Sequence, residues 1–155
     1  ADTDGDGLPD FWEKARKLNP QSPKNDPSDA NVDLDGNGAN NHYIVNLSGS
    51  ATDYTVNVHD SGGLGRGPNY LTINGTTGDD TLLMRANFVA NLTPDANAAT
   101  SGHAYLAPVE RVNYDNTITG RLTVNGVDGY DHFYVDDNSA ITTIDGGLGR
   151  TQEMI

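Results

Sequence analysis

Twelve residues near the start of the chain, Asp2 to Glu13, read DTDGDGLPDFWE and hold five carboxylates. Like charges this close repel one another unless a cation sits among them. With Asp2 as the first position, the run fits D-x-D-x-D-G-x5-E, the spacing of a twelve-residue calcium loop. Calcium takes six to eight oxygens at about 2.3–2.6 Å, one pair of them from a bidentate carboxylate. Asp2, Asp4 and Asp6 supply side-chain oxygens, Gly7 permits the sharp turn, and Leu8 offers its carbonyl. Asp10 coordinates directly or through water, and Glu13 closes the shell with two oxygens. A second run, DLDGNGANNHYI from Asp33 to Ile44, repeats the plan with Asp33, Asp35, Asn37, the carbonyl of Ala39, and Asn41. Its last position is Ile44, so the closing acid is absent. Either this second site is weak, or Asp26 or Asp29 folds in from the preceding loop.

These ligands need elements to hold them. Pro9 precedes DFWEKARKL, Asp10 to Leu18, where Phe11, Ala15 and Leu18 share one face at helical spacing. A helix there carries Glu13 in its first turn, where acidic side chains suit the dipole, and Asn19-Pro20 ends it. Near Tyr43 the pattern changes to a period of two. YTVNV (54–58), YLTIN (70–74), TLLMR (81–85), RLTVN (121–125), HFYVD (132–136) and AITTI (140–144) read as short strands bounded by Gly, Asn and Asp. Residues 86–109 are less regular and read as an insertion or long loop with a strand or two. The chain thus divides into a calcium-binding segment, 1–42, and a β-rich repeat domain, 43–155.

The repeat is internal and gapless. LTINGTTGDDTLLM from Leu71 aligns on LTVNGVDGYDHFYV from Leu122, and DSGGLGR (60–66) echoes DGGLGR (145–150). A unit this short cannot bury its own apolar face, so the copies should stack or pair. The expected fold class is mainly β, as a β-sandwich or a short β-solenoid behind a small segment with one short helix.

Two resemblances bear on function. The acidic loops resemble the tandem EF-hand-like calcium loops of dockerins and thrombospondin type 3 repeats, which in secreted bacterial proteins often tail polysaccharide lyases or link surface modules. NGTTGDDTLL and IDGGLGR resemble the glycine–aspartate nonapeptides of RTX proteins, which bind calcium in a parallel β-roll. The match is partial: Gly67 and Thr151 stand where that pattern has Asp, and the units are isolated. The stretch from Val109 to Arg150 is similar to segments of large repetitive bacterial surface proteins. These resemblances imply calcium as the bound ion and an extracellular or cell-surface location.

Composition narrows the rest. A net charge of −13 with nine Lys and Arg excludes a nucleic-acid backbone reader and an anionic membrane surface. No apolar run reaches spanning length, so membrane insertion is not expected. No cysteine is present, which leaves a divalent ion as the staple for a secreted chain. The start at Ala1 and the absence of a visible signal peptide suggest a processed product or a piece of a longer polypeptide. His42, His59, His103 and His132 are scattered, and no G-x-S-x-G or paired-carboxylate set stands out, so an enzyme is not expected. Sequons at Asn46, Asn74 and Asn91 are common by chance in a chain this rich in Asn and Thr. The expectation is a calcium-stabilised structural module of a bacterial surface, adhesin or fibre-forming protein, self-associating or joined to neighbouring modules. The alternative is a carbohydrate-binding or accessory domain of a secreted polysaccharide-degrading enzyme. Its glycan-facing residues would come from Trp12 and from Tyr43, Tyr54, Tyr70, Tyr105, Tyr114, Tyr130 and Tyr134.

Overall fold

A computed structural model describes residues 31–36, 40–49, 53–62, 67–147 and 153–154. The chain divides into two compact units, Ala1–Val32 and Asp33–Ile155. The expected helix at residues 10–18 lies outside the described residues. The strands are β1 (Asn31–Asp35), β2 (His42–Asn46), β3 (Tyr54–His59), β4 (Tyr70–Asn74), β5 (Thr81–Arg85), β6 (Phe88–Asn91), β7 (Glu110–Tyr114), β8 (Arg121–Asn125), β9 (His132–Val135), β10 (Thr142–Asp145) and β11 (Glu153–Met154); one helical turn, α1 (Ala98–Ser101), lies between β6 and β7. The molecule is mainly β, as its alternation and turn residues dictate.

Two sheets result. The smaller runs β10-β8-β4-β2 and every neighbouring pair is parallel. The larger runs β1-β3-β7-β6-β5-β9-β11 and is mixed. Four times the chain passes from a strand of the small sheet to a strand of the large one: β2 to β3, β4 to β5, β8 to β9, β10 to β11. That is the path of a coil in a solenoid. A hairpin interrupts it, because β6 runs antiparallel to both β5 and β7 and inserts two strands between β3 and β5.

The repeat is the reason for the register. Leu71 pairs with Leu122, Thr72 with Thr123, Ile73 with Val124 and Asn74 with Asn125. In the other sheet Thr81 pairs with His132, Leu82 with Phe133 and Leu83 with Tyr134. Each residue of the first copy therefore lies beside its equivalent in the second. Alternation sends Leu71, Ile73, Leu122 and Val124 inward from one sheet, and Val56, Val58, Leu82, Met84, Val89, Val112 and Phe133 inward from the other; all are buried. Burying a side chain of this size contributes about 1.5–3 kcal/mol, so stacking supplies the core that one copy lacks. On the opposite face of the small sheet, Asn125 donates to Asn74 at 2.7 Å and Asn74 to Asn46 at 2.8 Å, a ladder that fixes register strand by strand.

Strand ends differ from the sequence reading by a residue or two at β3, β9 and β10, and at β10 the cause is clear. The strand expected from Ala140 begins at Thr142, because Asn138 turns the chain first: its Oδ1 accepts from Ala140 N at 3.1 Å, and Thr142 Oγ1 donates to Ala140 O at 3.1 Å.

Two glycines show how tightly each corner is closed. A Cβ on Gly126 would collide with the Asp131 carboxylate, whereas one on Gly78 would meet nothing nearer than Thr76 Oγ1 at 3.7 Å. Gly126→Ala should therefore lower stability by about 1–3 kcal/mol, while Gly78→Ala stays within about 1 kcal/mol of the parent; urea unfolding of the two variants distinguishes them.

Candidate functional site

Three places gather polar or aromatic groups. The first is the pair of corners that join β4 to β5 and β8 to β9. Asp80 and Asp131 are both buried there. The Asp80 carboxylate accepts from Thr76 N at 2.6 Å and from the Asn91 amide at 2.7 Å. Asp131 Oδ1 accepts from Asp80 N at 3.0 Å, and His132 N donates to Asp80 O at 2.8 Å. Each carboxylate folds back over the glycine five residues earlier, Gly75 or Gly126, where a side chain would occupy the same space. The N-G-x-x-G-x-D signature thus works as a hydrogen-bonded corner that also clips one coil to the next. A buried carboxylate needs such partners. Glu110, buried on β7, serves the neighbouring corner: it accepts from Ser48 N (2.9 Å), Ser48 Oγ (2.7 Å) and Gly49 N (2.7 Å). Nothing in the sequence marked Glu110, since a lone Glu on a strand normally faces water.

The second place lies where β1, β2, β3 and the turn after β7 approach. Asp60 is buried; its carboxylate accepts from Asn69 at 2.7 Å, Asn41 at 3.2 Å and Gly62 N at 2.9 Å. The second acidic run partly enters this cluster. Asp33 and Asp35 lie on β1, Asp35 accepts from Ser61 N at 2.7 Å, and Asn41 bonds Asp60 and Asn69. Ile44 sits on β2 and is exposed. Asn37, Ala39 and Asp29 lie outside the described residues, as do Asp2, Asp4, Asp6, Leu8, Asp10, Glu13 and Trp12. Tyr43 donates to His59 O at 3.2 Å. Burial, followed by the charges of Asp60, Asp35 and Asp115, pushes its pKa up to about 12. Among the described residues no three His or acidic side chains are grouped to hold a metal ion.

The two Asp-Gly echoes do not occupy equivalent places. Asp60 follows β3 of the large sheet, whereas Asp145 ends β10 of the small one. Of the sequons, Asn91 is buried on Asp80, while Asn46 and Asn74 belong to the amide ladder.

The third place is a groove of about 450 Å³ on the outer side of the large sheet, lined by Leu83, Arg85, Leu92, Tyr105, Tyr134, Val135 and Asp136. Its floor comes from β5 and β9 and the residue after β9. Its wall comes from the long β6–β7 connection, where Pro94 bridges Tyr105 and Leu106 N donates to Thr93 O at 2.9 Å. The neighbouring Tyr134 hydroxyl, then burial, raises the pKa of Tyr105. Arg85 and Asp136 pair at the rim. Of the seven tyrosines that could have faced a sugar, the fold brings these two together here.

Compared with family models, with curated proteins and with solved structures, the chain matches none.

The His59–Asp115 contact (2.6 Å) ties the end of β3 to the turn after β7. The hydrogen bond that His59 Nδ1 donates to Asp115 raises the His59 pKa above 6.5 against a small burial penalty. For Asp115 burial acts upward, but bonds from Thr117 and His59 outweigh it and hold the pKa below 3.8. A raised His stabilises below its unfolded value and loses that contribution as pH climbs through the folded one. A depressed Asp stabilises above its unfolded value and loses that contribution in acid. The pair therefore contributes most between the two ordinary values, 3.8 and 6.5. His59→Ala should lower the melting temperature by about 1–2 °C near pH 5 and by progressively less as pH rises above 6.5, a small effect because both partners are half exposed.

Proposed function

We propose that the chain is a calcium-stabilised structural module of an extracellular bacterial surface, adhesin or fibre-forming protein. One observation carries this reading: the copies at 71–84 and 122–135 stack residue on residue, so the chain's sequence is organised around building a self-supporting stack. Such stacks gain stability by adding neighbours, which suits a load-bearing unit joined to other modules or copies. The buried Asp80, Asp131 and Glu110 are spent on backbone amides and neighbouring coils, a rigidifying use of charge. Among the described residues no helix is long and apolar enough to cross a membrane.

Calcium enters through the N-terminal run. Asp2, Asp4, Asp6, Asp10 and Glu13, with the Leu8 carbonyl, have the oxygen count and spacing for a hard divalent ion. Its role is mechanical: it neutralises the clustered carboxylates and orders the loop around them. Extracellular modules bind calcium at about 10⁻⁴–10⁻³ M, so the loop fills outside a cell and stays open inside, delaying completion of the fold until export.

Differential scanning calorimetry in calcium and in chelator tests this. With free calcium at ten times its dissociation constant, linkage gives about 1.4 kcal/mol, read as a rise of roughly 3–6 °C in melting temperature. Glu13→Gln should abolish most of that rise. An unchanged melt in chelator, with no heat on calcium titration, contradicts the calcium role. Sedimentation in calcium tests assembly: monomer alone at high concentration contradicts self-association.

A further inference from the structure

We propose that the groove between the β6–β7 connection and the outer side of the large sheet is a binding subsite for a neutral pyranose ring of a glycan. The first support is its origin. The two repeat copies are gapless, and the chain between them departs from the repeat, adding β6, β7 and the connection from Leu92 to Val109. In repeat proteins such insertions usually build the binding face. Here the insertion supplies Leu92 and Tyr105, while the repeats supply Leu83 from one copy and Tyr134 and Val135 from the other, with Arg85 and Asp136 directly after them. The two floor strands meet in register at Leu83 and Tyr134.

The second support is the chemistry of the lining. The volume lies within the size of small-molecule sites, about 300–1,000 Å³, which combine an apolar body with a few fixed polar groups. A pyranose has that same division: C–H groups on one ring face, and hydroxyls at the edge that both donate and accept. The tyrosine rings and Leu83 offer the apolar surface. The rim offers two tyrosine hydroxyls and the Arg85–Asp136 pair, a cation donor beside an anion acceptor that adjacent ring hydroxyls can bridge. This rim is anchored from behind: Tyr114 donates to Arg85 O at 2.8 Å, Asp136 N donates to Met84 O at 3.2 Å, and Ser139 Oγ donates to Ala86 O.

Other occupants fit less well. An acidic sugar meets Asp136, the neighbouring Asp137 and a chain of net charge −13. An alkyl chain leaves the hydroxyls and the ion pair unmatched, which is costly once water is displaced. A proline-rich peptide would use the tyrosines but not the charged pair.

The test is calorimetric titration of the intact chain with neutral hexasaccharides of β-1,4-glucose, β-1,4-mannose and α-1,4-glucose, with hexagalacturonate and a proline decamer as comparisons. At least one neutral hexasaccharide should bind in the micromolar-to-millimolar range. Tyr134→Ala should weaken it about tenfold, the value of one ring contact. Tyr105→Phe, which removes only a hydroxyl and keeps the fold intact, should weaken it a few-fold. Circular dichroism melts verify that each variant is folded. The proposal is overturned if no neutral hexasaccharide binds at millimolar concentration, if only the hexagalacturonate or the proline decamer binds, or if a folded Tyr105→Phe variant binds as tightly as the parent. Sugar binding that persists in chelator leaves this site standing even where the calcium reading fails.

Discussion

The structure depends on one constraint: the two repeat copies lie side by side in parallel, at an offset of 51 residues held from the small sheet through the corner into the large one. No bulge or slip is tolerated, because the corner belongs to both coils. Asp131 of one copy holds the backbone of Asp80 in the other, and a Cβ on Gly129 would lie 2.5 Å from Gly78 O. Gly129 also has φ +110, a backbone state that glycine adopts without strain. A one-residue shift would turn every inward side chain outward and would also bring a residue with a Cβ, in place of Gly129, against the Gly78 carbonyl.

This constraint explains how an acidic chain with a modest apolar content keeps an ordered interior. Part of its acidity is internal. Asp60, Asp80, Asp131 and Glu110 are buried, and the hydrogen bonds they accept join segments far apart in sequence, as Glu110 does with Ser48 and Gly49. Leaving any of these buried acceptors without its donors would cost more than the bond itself contributes. The carboxylates therefore select one arrangement of coils as much as they stabilise it. One corner shows the cost of divergence between copies: Val127 takes φ 77 where a β-branched side chain is strained, a conformation that the first copy, with Thr76 at the equivalent position, does not need.

Much of this was legible from residues alone. Strands 70–74, 81–85 and 121–125 appear where period-two alternation and Gly-Asn-Asp punctuation put them, because short strands in a repeat have strong local signals. The gapless alignment also implied stacking between copies. What the sequence could not convey was long-range. Whether the repeats closed as a sandwich or a coil depended on the β6–β7 hairpin, whose strands pair antiparallel inside an otherwise coiled path. Glu110 carried no signal of its own and Asp60 showed only as the start of the DSGGLGR echo, since most of their donors come from distant turns. Tyr105 and Tyr134 were two among seven tyrosines, and only the folding of the insertion over the repeat floor brings them together. The acidic N-terminal run remains a matter of spacing and chemistry.

The most direct test of the stacking is a crosslink, and the absence of native cysteine makes it clean. Thr72 and Thr123 are paired Cα partners on the outer face of the small sheet, at a neighbour spacing of about 4.8 Å that a disulfide spans. On mild oxidation, Thr72→Cys/Thr123→Cys should form an intramolecular disulfide rapidly and raise the melting temperature, whereas Thr72→Cys/Arg121→Cys should close slowly. Equal rates for the two pairs, or faster closure of the second, would contradict the register on which the whole account stands.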